Sequence, residues 1–430
     1  MLFCKPASAG RRLQPRQACI YLLCLLTLTF TVAAAHADQA SLTLANALSR
    51  TIKENPDLRV FDLRLEGLEG RRISVDQAPA YEVGFEAENV LGSGDLQGVD
   101  AAEYTLSLSS VIELGGKRHS RTDAVNARYD VLEAERKATA LELLGQVTQR
   151  YIATLSLQEK LDLSTQEVSL SEFTLSTLRR RAKQGAAPEA DVLRAKAALA
   201  QSRLSHDALK TEYQKRKMAL ASLWGDTRVD FQRLQGDLFR FEPGESFEVL
   251  YEQASESPMI QVFASERRMR DAEIQLAKSQ SQSDIRWQLG ARRSEDSGDT
   301  ALVAGVSVPL FSGHRNRGQR QSAMAARDAV EFRQKSALLQ LHALLFEAYH
   351  TRQQNIDAAE RLRTTVLPDL TRALDLTRKS YARGRYSYVE WTAAQRELLS
   401  AREALVEAAT TALLNQALIE QLTAQSVTQQ

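Results

Sequence analysis

The sequence is poor in cysteine: its only three cysteines, Cys4, Cys19 and Cys24, lie within the first 24 residues. Disulfides, thiolate metal sites and cysteine nucleophiles are therefore not expected in the remainder of the chain. Proline (9 residues) and aromatic residues (6%) are also scarce, which favours long helices with thin apolar seams over one thick globular core. Because 55 basic residues face 54 acidic ones, no polybasic surface dominates, and we expect no nucleic-acid partner.

Residues 1–37 have the pattern of a secretory signal peptide. An apolar stretch, Ile20–Val32, is followed by the small-x-small cleavage pattern Ala35-His36-Ala37, and four basic residues precede both: Lys5, Arg11, Arg12 and Arg16. A membrane anchor is the alternative, but the stretch is shorter than the ~20 residues that a span needs. Cleavage would leave a cysteine-free chain of net charge −3. Cys24 lacks the small preceding residue of a lipidation site, so we expect export without a lipid anchor.

The rest of the chain has the organisation of an internal duplication. Displacements of 197 to 202 residues superpose three landmarks in the same order: Asn55-Pro56 on Ser257-Pro258, Gly116–Arg118 on Gly313–Arg315, and Gly185 with Asp191 on Gly384 with Glu390. We predict a first structural repeat at 38–245, ending in a linker at 226–245, and a second repeat at 246–430.

Each repeat is predicted to be mainly helical. The predicted helical stretches are Leu42–Val75, Lys117–Gln184 and Glu189–Trp224 in the first repeat, and Ser246–Gln282, Arg317–Arg383 and Ser387–Ala424 in the second. The longest would extend about 100 Å at 1.5 Å per residue. Because the two shorter helices of each repeat together match the long one, we predict an elongated antiparallel bundle whose short helices meet near its middle.

Four alternating segments are predicted as strands, at about 80–91, 103–114, 284–293 and 301–311. In the first, apolar residues from Tyr81 to Ala87 alternate with polar ones from Glu82 to Glu88. A soluble, half-buried sheet is the alternative interpretation. The recurrence of one hairpin at the same place in both repeats, at one end of the bundle, favours a transmembrane barrel instead.

A four-stranded sheet in lipid cannot stand alone, because its two open edges would leave backbone groups without partners. Two copies would give eight strands, a barrel filled by its own side chains, whereas three would give twelve and leave a lumen. We therefore predict a mainly α fold with a β-barrel part: a duplicated helical-hairpin α-barrel with four strands per chain, closing as a trimeric 12-stranded barrel.

Several of these segments resemble the TolC-type outer-membrane factors, and most of all the CzcC branch that serves heavy-metal resistance. The resemblance rests on these segments: Leu42–Leu48 with Asn55-Pro56, the corners Ile112–Arg118 and Pro309–Arg315, and the helical turns Gly185–Ala195 and Gly384–Ala394. It implies a homotrimer in the Gram-negative outer membrane, in contact with its lipid, with a long periplasmic extension. It also implies a passive conduit, not an enzyme, working with a periplasmic adaptor and an inner-membrane RND-type pump to export heavy-metal cations. A multidrug or type I secretion channel is the alternative, and a periplasmic coiled-coil adaptor a more distant one.

The resemblance further implies two sets of functional residues. The adaptor-docking tips are Gly185, Ala186, Ala187, Pro188, Gly384, Arg385 and Ser387; the gate candidates are Glu390, Tyr381, Arg383, Arg385 and Tyr386. A second acidic position of the family's gate is occupied here by Ala393. Alternatively, Glu390 is only a first-turn acid favoured by the helix dipole.

No other motif indicates a site. Glu347 and His350 share a helix face, but a second such pair is absent, so we expect neither a metal site nor a cofactor. The cluster Arg179–Arg181 is interpreted as a solvated helix face preceding a docking tip. No phosphate loop, nucleophile elbow or pair of catalytic carboxylates occurs.

Overall fold

A computed structural model describes residues 41–425, so the predicted signal segment 1–37 and its cysteines lie outside the described residues. The first repeat contains β1 (Ser41–Leu42), α1 (Leu44–Glu54), α2 (Pro56–Val75), β2 (Glu82–Glu88), β3 (Glu103–Ile112), α3 (Lys117–Lys183) and α4 (Glu189–Ala221). The linker contains β4 (Arg233–Leu234). The second repeat contains α5 (Phe247–Ser255), α6 (Pro258–Ser279), β5 (Ile285–Ser294), β6 (Thr300–Ser307), α7 (Ser312–Arg315), α8 (Arg317–Arg361), α9 (Leu367–Ala382) and α10 (Tyr388–Thr423).

The helices form one wall that is a single helix thick. Towards the sheet its order is α2, α3, α6, α8; towards the opposite end it is α4, α3, α10, α9. The 67-residue α3 runs the whole length, about 100 Å. Within residues 41–425, the outermost helices therefore have no neighbouring helix on one side, and they expose large apolar side chains: Leu63, Ile73, Leu193, Leu204, Phe332, Leu339 and Leu376.

Two helical stretches that the sequence predicts as continuous are each divided into two helices in the structure. Asn55 has an extended backbone, and its Oδ1 accepts a hydrogen bond from the Asp57 amide at 2.8 Å, so it starts α2 as its cap. Pro56 follows as the first helical residue, where its missing N–H costs nothing. The stretch Ser246–Gln282 also breaks before a proline, at Ser257-Pro258, where Ser257 has an extended backbone but its side chain makes no capping hydrogen bond. The landmarks of the duplication are thus helix boundaries.

The predicted helix Arg317–Arg383 also contains an irregularity. Residues Leu362–Val366 form one π-helical turn between α8 and α9. Pro368, two residues after this turn, has no N–H with which to continue the α-helical pattern.

The four longer strands form one antiparallel sheet in the order β2-β3-β5-β6, so the hairpins of the two repeats pair through β3 and β5. The predicted alternation is present: Phe85, Leu106, Ala291 and Leu302 are aligned on one face, and this face is exposed. The last strand ends at Ser307 rather than at 311, because Pro309 cannot donate to a sheet. The first ends at Glu88 rather than at 91, because Asn89 and Leu91 have positive φ angles of 57° and 60°.

Ion pairs fix the junction between sheet and helices. The Asp284 carboxylate, just before β5, accepts the Leu114 amide at 3.2 Å and lies 2.6 Å from the Lys117 ammonium at the start of α3. The Arg121 guanidinium pairs with the Glu113 carboxylate. The strand ends of both repeats are therefore tied to the beginning of the longest helix.

A mixed core lies at mid-length, where β1 pairs with β4 in parallel. The buried Tyr151 hydroxyl on α3 is 2.7 Å from both the Leu42 and the Gln235 carbonyl oxygens. The Lys217 ammonium on α4 donates to the Phe231 carbonyl at 3.2 Å, and burial lowers the pKa of this lysine. The linker is thereby held across the wall where the short helices meet.

Hydropathy identifies no helix among residues 41–425 that could cross a membrane.

Candidate functional site

The two helical turns at the end opposite the sheet are the candidate site. Gly185 and Gly384 have φ angles of +71° and +75°, and a side chain would meet no atom within 4 Å at either glycine. The left-handed backbone ends α3 and α9, and the amides that follow, of Ala186 and Arg385, donate to carbonyls of the last helical turn. Glycine is needed for the conformation rather than for space.

The predicted tip residues surround these glycines on the surface. Ala186, Pro188, Arg383, Arg385, Tyr386 and Ser387 are exposed, and Ala187 is half-buried against the core beneath. Together they form the outermost end of the bundle.

An apolar cluster joins the two turns just above them. It combines Leu175 and Leu178 of α3 and Ala195 and Leu199 of α4 with Tyr381, Tyr388 and Trp391 of the second hairpin. The Tyr381 ring stacks on the Trp391 ring at 5.0 Å between centroids. Only 7% of Tyr381 is exposed, and burial raises the pKa of its hydroxyl. This gate candidate is therefore part of the core that holds the hairpins together.

The sequence pattern predicts that Arg181 lies on a solvated helix face. In the structure, its side chain instead reaches from the first hairpin to the second. One guanidinium nitrogen lies 3.2 Å from each of the Tyr381 and Ala382 carbonyl oxygens at the end of α9. The guanidinium carbon lies 4.7 Å from the centre of the Tyr381 ring. Arg181, Tyr381 and Trp391 thus form a three-layer stack across three helices.

The predicted gate arginines are placed differently. Arg383 and Arg385 are exposed, and within residues 41–425 neither forms an ion pair. The sequence signal that could have singled out Arg181 is its position four residues before Gly185, within reach of the end of the neighbouring helix.

Glu390 forms a capping box at the start of α10. Its Oε2 accepts hydrogen bonds from the Ser387 amide at 2.6 Å and hydroxyl at 2.8 Å, and its own amide donates to the Ser387 Oγ at 3.3 Å. These hydrogen bonds from Ser387 lower the pKa of Glu390. The carboxylate is also exposed, so it stabilises the helix start and faces solvent at once.

Its counterpart in the first repeat, Asp191, lies 3.4 Å from the Arg194 guanidinium. Asp191 also contributes to raising the pKa of Tyr381 and of Tyr388, although burial is the larger cause. The displacement of 199 residues identifies this acid from the sequence, but only the fold brings it beside the tyrosines.

The polar face of the sheet is the second candidate region. Arg292 pairs with Glu88 at 2.9 Å and with Glu103 at 2.8 Å, and Arg286 pairs with Glu82 at 3.3 Å. A polar, ion-paired face opposite an exposed apolar face suits a wall between water and lipid.

Among the described residues, no group of three or more His, Cys, Asp and Glu side chains is placed to hold a metal ion. Glu347 and His350 share a helix face in the sequence pattern. In the structure, the ring centre of His350 lies 4.3 Å from that of Phe346. His342 lies 5.0 Å from Tyr251. Both histidines belong to an aromatic cluster between α5 and α8.

Comparison with known proteins identifies the chain. The sequence model of the outer membrane efflux protein family matches residues 47–226 and 249–425. The cobalt-zinc-cadmium resistance protein CzcC of Cupriavidus metallidurans is 26% identical over 84% of this chain and 85% of its own length. The nickel-cobalt-cadmium resistance protein NccC of Alcaligenes xylosoxydans xylosoxydans is 22% identical over 74% of this chain and 73% of its own length.

Among solved structures, CusC superposes with a TM-score of 0.73 at 17% identity, covering 88% of this chain and 91% of that one. Its crystal structures are described in terms of transmembrane channel formation. The predicted fold class, helical hairpins with a few strands in an outer-membrane channel architecture, is confirmed by this likeness, as is the predicted family by the sequence match. The chain belongs to the outer membrane efflux protein family.

Proposed function

We propose that three copies of this chain form a passive conduit through the Gram-negative outer membrane, as the exit channel of a tripartite system that exports heavy-metal cations. The chain is exported by a cleaved, unlipidated signal peptide, and it has no catalytic role. Its periplasmic end docks on an adaptor protein, which links it to an inner-membrane RND-type pump.

The observation that carries this proposal is the pair of open edges. Strands β2 and β6 each have one unpaired side, and the apolar face of the sheet is exposed, with Phe85 and Leu302 at 70% and 85%. The helical wall beside the sheet exposes apolar side chains on its outermost helices, on the same two sides as these strand edges. A closed ring of copies satisfies the strand edges and covers the helix edges together, which is the condition that lipid imposes on a sheet.

Oligomeric state and conductance test the channel. We expect the purified protein to run as a detergent-dependent trimer by native mass spectrometry and to open ion-conducting pores in planar bilayers. A stable, detergent-free monomer without conductance would overturn the channel proposal.

The cargo is inferred from the relatives that confer resistance to cobalt, zinc, cadmium and nickel. Deleting the chain should sensitise its host to these divalent cations, and plasmid-borne protein should restore resistance. Unchanged metal tolerance with lost drug or protein export would replace the metal cargo by the multidrug or type I alternative.

Docking of the adaptor is proposed at the two glycine turns. Gly185→Val or Gly384→Val would strain a left-handed backbone at an exposed tip. Resistance should then fall while the trimer still assembles, whereas Gly70→Val, at an exposed site in α2 without neighbouring atoms, is the control. Full resistance in both tip variants would exclude docking there.

A further inference from the structure

The tip end of the bundle is strongly positive in an otherwise neutral chain. Residues 179–194 and 375–390 contain nine Lys or Arg and four Asp or Glu, a net charge of +5, whereas the whole sequence carries +1. We propose that this end, here named the basic crown (Arg179, Arg180, Lys183, Arg383 and Arg385), recognises a protein partner whose docking end is a helical hairpin bearing carboxylates. This inference rests on the proposed function and names the chemistry of the partner at the same tips.

The crown's charges are available to a partner. All five side chains are exposed, and within the described part of the chain none lies within 4.0 Å of a carboxylate oxygen. Three of the four nearby acids are engaged elsewhere. Asp191 pairs with Arg194, Asp375 pairs with Arg378 and Lys379 at 2.9 and 2.6 Å, and Glu390 caps α10.

Helix dipoles explain only part of this charge. Arg180 and Lys183 lie in the last turn of α3, where the carbonyl end of the helix favours cations. Arg385 lies in the turn between the carbonyl end of α9, which favours a cation, and the amide end of α10, which disfavours one. Arg383, the C-cap of α9, is favoured by that helix, but its charge repels that of Arg385 in the same turn.

Threefold assembly would concentrate the charge further. Three copies of a +5 end would meet around one axis, and exposed like charges closer than a Debye length of about 10 Å repel one another at moderate salt. Carboxylates from a partner would offset this repulsion and guide its approach, as complementary surfaces do in other complexes.

A protein hairpin fits the crown better than a lipid surface. The crown lies at the far end of α3, about 100 Å from the exposed apolar sheet face, so headgroups around the sheet are out of reach. The surface itself consists of two narrow helical turns, which match a helical turn of similar size. Anionic lipid of a second membrane is the competing ligand, and the test below distinguishes it.

The test measures binding of two synthetic helical-hairpin peptides to the full-length protein in detergent. One peptide carries four Glu around its turn, and its twin carries Gln at those positions. The crown variant is Arg179→Gln, Arg180→Gln, Arg383→Gln and Arg385→Gln together. The matched control removes four exposed cations that lie away from the tips, Arg267, Arg268, Arg361 and Arg363, likewise by Gln.

We expect the acidic hairpin to bind the wild type and the control alike, and to bind the crown variant about tenfold more weakly. The affinity should fall steeply as NaCl rises from about 50 to about 400 mM, because salt screens exposed charges. Equal binding of the two peptides, or equal losses in the crown variant and the control, would overturn the inference. So would crown-dependent binding to phosphatidylglycerol vesicles without binding of the acidic hairpin.

Conductance separates this inference from the proposed function. If the wild type and the control variant form conducting trimers while the acidic hairpin is not preferred, only the crown's partner is wrong. If the wild type neither assembles nor conducts, the channel itself is wrong.

Discussion

At the scale of single residues, the tip is organised by one side chain that spans two hairpins. Arg181 donates through one guanidinium nitrogen to two carbonyls at the end of α9, and its cation lies over the face of Tyr381. Tyr381 in turn stacks on Trp391, which is 1% exposed. Moving the second hairpin away from the first would break the contacts of Arg181 with Tyr381 and Ala382, so we expect Arg181 to position the two hairpins against each other.

Replacing Arg181 should loosen the tip. Arg181→Gln removes the cation–π contact and the forked donor, at a cost of about 1–2 kcal/mol for the local contact. We expect faster amide hydrogen exchange at residues 374–391 and a larger single-channel conductance. Arg180→Gln, which removes an exposed neighbouring charge, is the control; identical behaviour of the two variants would mean that the stack does not hold the tip.

Glu390 should combine a capping role with a charge role, and pH separates them. Since hydrogen bonds from Ser387 lower its pKa below the unfolded value of about 4.3, its contribution to the helix start is complete above that value. It is lost as the pH falls through the folded pKa. The protection factor of the first-turn amides of α10, in which the intrinsic pH dependence of exchange is divided out, should therefore fall below about pH 4 in the wild type and stay constant there in Glu390→Gln.

Glu390→Gln, together with Glu390→Ala, also tests the proposed gate role of this residue. Glu390→Gln and Glu390→Ala should both alter block of the reconstituted channel by cations, because both would remove the ring of three carboxylates expected in the proposed trimer. If neither changes the block, Glu390 is a helix cap alone.

At the scale of elements, the sheet has two faces that the strand register keeps apart. Leu106 lies on the apolar face and is 58% exposed, whereas Ser107 lies on the polar face between Gly84 and Gly290. A side chain on Gly290 would come within 2.7 Å of the Leu106 carbonyl oxygen, so glycine is required where the strands approach. The row of small residues leaves room around Ser107.

This register predicts unequal effects of one substitution at adjacent positions. Leu106→Arg should destabilise the membrane-inserted protein by about 2–4 kcal/mol, the cost of a cation in the lipid-facing band. Ser107→Arg should be tolerated, because a polar face with space beside two glycines accommodates it. Folding titrations in lipid vesicles would measure both, and equal losses would show that the faces are assigned the wrong way round.

At the scale of the whole molecule, each side of the chain offers one half of the contact that neighbouring copies would make in a closed ring. Its wall is one helix thick, and the two sides of the wall expose apolar residues at similar heights. Leu63 on α2 lies twelve residues before the end of its helix near the sheet, and Phe332 on α8 lies fifteen after the start of its own. In a closed ring, the first side of one copy would meet the second side of the next.

A cysteine pair should capture that contact. The chain has no cysteine after residue 24, so Leu63→Cys with Phe332→Cys introduces the only thiols beyond that residue. Mild oxidation in membranes should give covalent dimers and trimers, and neither single variant should do so. Monomers alone from the double variant would contradict a ring with these edges in contact.

The amino-acid sequence by itself determined the periodic features of this protein. The lengths of the helices, the alternation of the strands and the repeated Gly185 and Gly384 turns are local consequences of residue order, and each could be predicted. The breaks at Asn55 and Ser257 were visible as landmarks, but their role as helix boundaries depended on a cap geometry that spacing does not give.

Only the tertiary structure decided which tip residues work together. Arg181 and Tyr381 are 200 residues apart, and their contact exists because two hairpins of the duplication pack side by side. Likewise, the pairing of β3 with β5 joins the two repeats into one sheet, and no local pattern specifies it. Contacts between distant segments are selected by packing and by the pairing of buried polar groups, and these follow from how the repeats pack together, not from the order of residues within either one.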